Sequence, residues 1–475
     1  MKKLIASLLA VSLVFAITAC NGNDSDSAQN QDNDVKNSED AGDSASGDKK
    51  KIRIAWNGLN PDDRVDPISG ITYKGSYEFK ELLEKKIPEV EIEFIQIPSD
   101  GWIQKMETTI TAGEADIGWY TNQVMAAEWF VDHRDFMKND PEFSEETFDK
   151  LFTEGAKKYT RYHSFDYPDQ TGEIHGLPYD VGAYYIMYDK QILEEWGVAE
   201  PSQNPTFDEL MEIIQATTGT NPVSGKENYG TYIRPFWCEW VGVGADLYHP
   251  IDIPDMDIDK LDIAKDVDYM KTSPEILDYF QMLLDMIECA PEGVTADTGH
   301  ENWLTPDNNI AVMFDTSKTS PYYHHLLADN KEVTDRFIPI FLPKGEQGVS
   351  GFPEVHHVAV TKLANNKELC WEVVKAITTD TDVLNLIYKN HAVGVVPALI
   401  DTTGIDIMKD EFVQLRYNDR LNGTIITDDY WYWREPIQGV FGQLFVKELT
   451  AEQAREALHA SVMEWINNKK SQLGK

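Results

Sequence analysis

The chain has 475 residues, with 42 Lys and Arg against 81 Asp and Glu, for a formal net charge of -39. A hydrophobic share of 42% supports a packed core, and this length exceeds the roughly 250–300 residues that one core serves, so two or more lobes are expected. The acid excess argues against nucleic acid and against a polybasic grip on anionic lipid, because both need clustered Lys and Arg.

Lys2 and Lys3 form a positive start, and Leu4 to Ile17 is apolar except for Ser7 and Ser12. That run suits a signal segment and falls short of the roughly 18–20 residues a membrane-spanning helix needs. Ile17-Thr18-Ala19-Cys20 resembles the lipobox of bacterial lipoproteins, in which cleavage leaves an acylated cysteine at the new N-terminus. Residues 1–19 are therefore expected to be removed, with Cys20 lipidated and two or more chains giving stable attachment. Residues 20–50 carry no aromatic side chain and one aliphatic larger than alanine, Val35, so they are expected to be a disordered acidic tether. The expected location is the outer face of the cell membrane, held by lipid alone. Of the remaining cysteines, Cys238, Cys289 and Cys370 have no C-x-x-C spacing and read as buried small hydrophobes, with one disulfide at most.

Ile52 to Trp56 alternates like a strand and ends at the turn signal Asn57-Gly58. Tyr77 to Lys86 has helical period and is stopped by Pro88; Val90 to Phe94 alternates again. Ile103 to Ala112 reads as a helix closed by Gly113, and Ala115-Asp116-Ile117 opens a buried strand. This β-α-β-α-β order predicts a parallel sheet with its ligand crevice at the carboxyl strand ends, where Trp56-Asn57 and Trp119-Tyr120 fall together. His175 to Asp180 reads as a loop and Ala183 to Tyr188 as a strand. Asp189 caps a helix over Lys190–Trp196 that Gly197 stops, and Thr206 with Glu209 forms a capping box. Further helices are expected from Pro274 to Ile287, from Asn366 to Thr378 and twice beyond Pro436, with a strand over Glu354–Thr361. Tyr430-Trp431-Tyr432-Trp433 is read as extended, which would point Trp431 and Trp433 the same way.

Several blocks, each weak, occur in an order that resembles the extracellular solute-binding proteins of carbohydrate ABC importers, the group that includes maltose-binding protein. They are Gly113-Glu114-Ala115-Asp116-Ile117, His175 to Asp180 leading to Tyr184 to Lys190, Thr206 to Leu210, Asn309 to Asp315, Leu363 to Val373, and Thr450 to Ala454. Departures are Asp189 for the usual Asn, Ala115 for the usual Pro, and a longer loop from Pro61 to Tyr73. The resemblance implies an α/β, two-lobe periplasmic-binding-protein-like fold, each lobe a sheet flanked by helices, hinged around a central cleft. By analogy residues 51–180 and 343–395 build one lobe, and 181–342 and 396–475 the other.

The implied function is capture of an oligosaccharide by hinge closure and delivery to an ABC permease, by a monomer without covalent chemistry. Sugars present C–H faces to aromatic rings and hydroxyls to carboxylates and amides. The candidate contacts are Trp56, Asn57, Trp119, Tyr120, Asn122, Tyr179, Asp180, Phe236, Trp237, Trp240, Asp315, Thr316, Trp431, Trp433 and Glu435. The alternatives are a binding protein for a peptide or polyamine and a surface glycoside hydrolase. No cofactor is expected. Adjacent His356 and His357 would face opposite ways on a strand, which disfavours a metal there, as at His324-His325; a solvated loop is the reading for Asp255, Asp257 and Asp259, with a weak structural Ca²⁺ as the alternative.

Overall fold

The structure is a computed structural model that describes residues 49–65, 72–98, 101–121, 126, 128–161, 172–182, 185–233, 261–319, 321–343, 355–390, 395–422 and 431–472. Cys20 with the signal and tether to residue 48, Asn122, Phe236, Trp237, Cys238, Trp240, Asp255, Asp257 and Asp259 lie outside those residues. Among the described residues no helix is long and apolar enough to cross a membrane.

The first half opens with β1 (Lys50–Asn57), a small hairpin of β2 (Arg64–Val65) and β3 (Thr72–Tyr73), α1 (Tyr77–Lys86), β4 (Val90–Ile97), α2 (Trp102–Thr111) and β5 (Ile117–Tyr120). The expected parallel pairing holds: β1 runs parallel to β4 along its whole length and to β5 at Ile54 and Ala55. Short helices α3 (Arg134–Met137), α4 (Glu145–Leu151) and α5 (Glu154–Thr160) lead to β6 (Leu177–Gly182). Here the loop expected over His175–Asp180 is, from Leu177 onward, a strand inside the sheet. Its residues are buried on both faces, so no alternation marks it, and Pro178 is accommodated where β12 (Val355–Val360) has a bulge between His356 and His357. With β13 (Val395–Pro397), the sheet order is β13-β6-β12-β5-β1-β4.

The second half begins three residues after β6 ends, with β7 (Tyr185–Asp189), α6 (Lys190–Trp196), α7 (Phe207–Ala216), β8 (Gly219–Thr220) and β9 (Glu227–Tyr232). α8 (Pro274–Glu288), β10 (Ile310–Met313), α9 (Thr316–Thr319), α10 (Tyr322–Leu327), α11 (Lys331–Thr334) and β11 (Phe337–Phe341) follow, and the sheet order is β11-β7-β10-β9-β8. The chain returns to the first sheet at β12, then forms α12 (Lys367–Thr379), α13 (Thr381–Asn390), β13 and α14 (Glu411–Asn422). It ends with α15 (Trp431–Phe445) and α16 (Ala451–Gln472), which pack with α8 in the second half's own core through Phe280, Phe441, Leu458 and Val462. The result is mixed α/β, with two sheets flanked by helices.

Two details differ from expectation. Residues 396–475 are expected in the second lobe, yet Val396 and Pro397 belong to β13 of the first sheet, Ala398, Leu399, Ile405, Val413 and Tyr417 join the first core, and α14 packs on β13 and α5. The segment read as extended around Trp431–Trp433 is the first turn of α15, so strand alternation does not apply there, and Pro436 sits inside that helix, where it lacks a hydrogen to donate.

Crossing between the halves is organised by one buried cation. Arg416, 1% exposed, lies against the rings of Phe412 on its own helix and of Tyr185 and Tyr323 from the second half. It donates to the Tyr323 hydroxyl and, at 3.2 Å, to the Val395 carbonyl. Phe412 also meets Phe341, so the ends of both crossing strands converge on α14.

At the far end of β7, Asp189 explains its own departure from Asn. Its carboxylate caps α6 by accepting from the Gln191 and Ile192 amides, receives Arg336 Nη2 at 2.6 Å and accepts from Asn308 Nδ2 at 2.8 Å. Asp189 is fully buried and Arg336 partly so. Asp189→Ala therefore removes the α6 cap and the carboxylate partner of a partly buried guanidinium, and is expected to lower stability by about 2–3 kcal/mol. Asp189→Asn keeps the cap and should cost only about 1–2 kcal/mol. Urea midpoints at constant slope would measure both.

Candidate functional site

Parallel strands end together, so the carboxyl edge of the first sheet gathers Trp56 and Asn57 from β1, Trp119 and Tyr120 from β5, and Asp180 near the end of β6. Antiparallel β12 brings His356 to the same edge, directly opposite Asp180. The aromatic groups form one continuous wall. Trp56 packs on Phe79 and Tyr179, with ring centres 5.7 and 5.4 Å apart. Trp119 donates its indole N–H to the Tyr179 hydroxyl at 2.8 Å and lies 5.3 Å from both Trp102 and His356.

Burial divides these groups. Trp56 and Tyr120 are enclosed, Tyr120 between Phe130 and His357, so they back the wall rather than face solvent. Trp119 is 7% exposed, whereas Trp102 is half-buried and is the open end of the row. The Asn57 side-chain amide donates to the Ile97 and Pro98 carbonyls, stapling the ends of β1 and β4 together. His356 Nδ1 stands 2.6 Å from Asp180 Oδ1, so the wall's carboxylate has a base beside it.

The second sheet supplies a polar edge. β9 ends at Tyr232, and β10 ends just before the buried Asp315, whose carbonyl accepts from the Lys318 amide in α9. Tyr232 donates its hydroxyl to Asp297 Oδ1 at 3.1 Å, and Lys318 Nζ pairs with the same oxygen at 3.0 Å. The His300 ring lies 5.0 Å from Tyr232, and burial followed by the Lys318 charge lowers its pKa. Because β6 ends at Gly182 and β7 starts at Tyr185, whose residues antiparallel-pair toward the Met313 end of β10, the two edges adjoin.

Of the sequence-predicted residues, Trp56, Asn57, Trp119, Tyr120, Tyr179 and Asp180 come together on the first edge, and Asp315 with the backbone of Thr316 lies on the second. Trp431, Trp433 and Glu435 fall in the first turns of α15. Sequence reasoning missed Trp102, which follows the carboxyl end of β4 and obeys the same strand-end rule that selected Trp56. It also missed Tyr232, Asp297, His300 and Lys318, whose meeting depends on a segment after α8 folding back to β9.

Among the described residues no group of three or more His, Cys, Asp or Glu is placed to hold a metal. Cys289 and Cys370 are free and buried, and burial pushes the Cys370 thiol up to about 12.

The family description that matches residues 69–254 is "Bacterial extracellular solute-binding protein". The chain has the fold of the solved proteins that follow. An ABC substrate-binding protein of Listeria monocytogenes, solved with cycloalternan, superposes with TM-score 0.65 at 14% identity, over 90% of this chain and 100% of that one. The GacH receptor of Streptomyces glaucescens, solved unliganded and with acarbose, gives 0.61 at 13% identity, over 88% and 99%. Maltose-bound MalE3 of T. maritima gives 0.59 at 16% identity, over 87% and 99%. A binding protein of Brucella abortus (strain 2308) is 24% identical over 307 residues, which span 62% of this chain and 66% of that protein. The two-lobe architecture that the sequence blocks implied is thus the observed one.

Within this solute-binding fold, two histidines behind the wall set an acid limit. Full burial, and secondarily the neighbouring His356, lowers His357 to about 3, and burial followed by His175 lowers His133 to about 4. An unfolded histidine near 6.5 binds a proton that the folded one refuses, so the unfolded state gains protons first as pH falls. The neutral rings' contribution is complete above about 6.5 and is lost progressively toward 4 for His133 and 3 for His357. Urea midpoints measured from pH 7 to 4 should fall steadily, and His357→Phe should flatten that dependence.

Proposed function

We propose that this protein is the solute-binding component of an ABC importer and captures an oligosaccharide between its two halves. The observation that carries the reading is the pairing of a wall of aromatic rings with an adjoining polar edge. Rings cover the C–H faces of a sugar with large, rigid surface at low entropic cost, while Asp297 and Lys318 accept from and donate to hydroxyls. The exposed end of the wall, Trp102 beside Trp119, is the stacking platform.

The charges of the two edges favour a neutral ligand. Asp297 is paired with Lys318, and Asp180 is buried against His356, so neither carboxylate stands open as a cation trap despite the chain's formal -39. A polyamine would need the opposite arrangement, with carboxylates left for the ligand. The proteins with this fold include sugar complexes, which agrees with the reading.

The rest of the proposal follows from the sequence. Acylated Cys20 holds the protein on the outer face of the cell membrane, the acidic tether gives it reach, and the loaded monomer passes its solute to the permease unchanged. No cofactor takes part, since capture and release need no bond making. Closure is driven by the ligand's greater affinity for the closed arrangement.

Titration calorimetry with maltotriose, cellotriose and other trisaccharides, followed by product chromatography, tests this. One member of the panel should bind at one site and be recovered intact. Trp102→Ala or Trp119→Ala should weaken binding by about 1.5–3 kcal/mol, roughly tenfold to a hundredfold. Catalytic turnover of any glycan would instead establish a hydrolase, and binding lost only on removing carboxylates would point to a cationic solute.

A further inference from the structure

β1 ends at Asn57 and α1 begins at Tyr77, whereas a strand-to-helix connection usually takes roughly 2–6 residues. The described part of the connection is built, not slack. Asp63 accepts from the Gly75 amide at 2.8 Å and from Lys74 Nζ at 2.9 Å, and these bonds hold its carboxyl below the usual range. The Ser76 amide donates to the Asn60 carbonyl at 2.8 Å, and a Cβ on Gly75 would stand 2.4 Å from the Pro61 carbonyl oxygen, so only glycine closes the base. On this base β2 pairs with β3, and Arg64 lies opposite Tyr73.

The Tyr73 ring is held from two directions. The Arg64 guanidinium carbon sits 4.8 Å from the ring centre, and the His324 ring meets it edge-on at 88° with centres 4.1 Å apart. His324 belongs to α10 in the second half, one residue after the Tyr323 that receives Arg416. Two successive residues of one short helix are therefore held by the first half, one at the crossing and one by the hairpin. The hairpin follows the carboxyl end of β1, and Arg416 reaches the Val395 carbonyl at the start of β13, which lies opposite Gly182 at the end of β6. Opening about the crossing strands would rotate α10 around the Arg416 contact and pull His324 off Tyr73.

We propose that the Arg64–Tyr73–His324 stack is a latch between the halves that opposes opening and prolongs retention of the captured solute. Its existence rests on these contacts alone; its role in retention rests on the capture-by-closure reading given above. Tyr73 and His324 act as positioning residues, through the open–closed balance.

The test uses the full chain with donor and acceptor dyes at the exposed Leu363 and Val223, one on each half, without ligand. An aromatic contact of this kind should change the open-to-closed ratio roughly two- to tenfold. Tyr73→Ala and His324→Ala should each raise the open population by that factor, the pair together should exceed neither alone, and Tyr73→Phe should match the parent. Asp63→Ala, which unpins the hairpin base, should give the same shift by another route. With maltotriose as the probe, dissociation should speed up by the same factor while association changes little. A maltotriose that fails to bind, alongside shifted ligand-free distances, would count against maltotriose as the solute and still support the latch. Unchanged ligand-free distances in Tyr73→Ala and Asp63→Ala, or effects of Tyr73→Ala and His324→Ala that simply add, would overturn it.

Discussion

A chain built as two halves on two sheets must cross between them without leaving unpaired polar backbone inside. The Arg416 cage is how this chain meets that constraint. A guanidinium 1% exposed is costly unless its donors and its flat faces are used. Here Tyr323 and the Val395 carbonyl take hydrogen bonds, and the rings of Tyr185, Tyr323 and Phe412 cover the planar cation. The groups come from β7, α10, β13 and α14. Losing any one of them would leave a charged group in a dry junction, so the crossing segments are tied to one another by the cost of separating them.

From that junction the placement of the candidate site follows. β6 reaches the crossing at its carboxyl end and β7 starts there, so the strand ends of the two sheets adjoin. Strand ends are where side chains escape the ladder, which puts Trp119, Trp102 and His356 on one edge and Tyr232, Asp315 and Lys318 on the other. At these edges Asp297 is paired with Lys318 and Asp180 is buried against His356, so a chain with 81 acidic residues does not leave these two carboxylates open to the crevice.

Much of the first half was legible in the sequence because its signals are local. Alternation at Ile52 to Trp56, the helical period of Tyr77 to Lys86, and the Asp189 and Gly197 boundaries of α6 each act within a few residues, and each is found where expected. Local rules also failed in instructive ways. Thr206 does accept from the Glu209 amide, but the Glu209 carboxylate turns to the Ser202 amide and hydroxyl, so the expected box is half made. The complete box is at Thr450, whose side chain accepts from the Gln453 amide while Gln453 accepts from the Thr450 amide. β6 was misread because a strand buried on both faces has no alternation, and its Pro178 looked like a breaker until the bulge in β12 made room for it. Arg416 gave no signal at all: one basic residue in a polar-looking helix is indistinguishable from a solvated one until tertiary structure closes over it.

The buried apolar groups add a last constraint on how such a molecule works. The first core continues through Tyr185, Met187, Tyr232 and Met313 of the second sheet and Tyr323 of α10, while α15, α16 and α8 form a separate core on that sheet's other face. The two halves are therefore not independent bodies on a free linker. One face of the second sheet is already committed to packing that is continuous with the first half, and separating it wholesale would expose that surface to water at a cost proportional to its area. Motion that leaves this packing intact while moving the outer parts of the edges is far less costly, and that is a pivot about the crossing strands rather than a detachment. The same economy explains why a few ring contacts at the hairpin can matter: against a pivot that disturbs no core, a contribution on the scale of a single aromatic pair is enough to set which arrangement prevails.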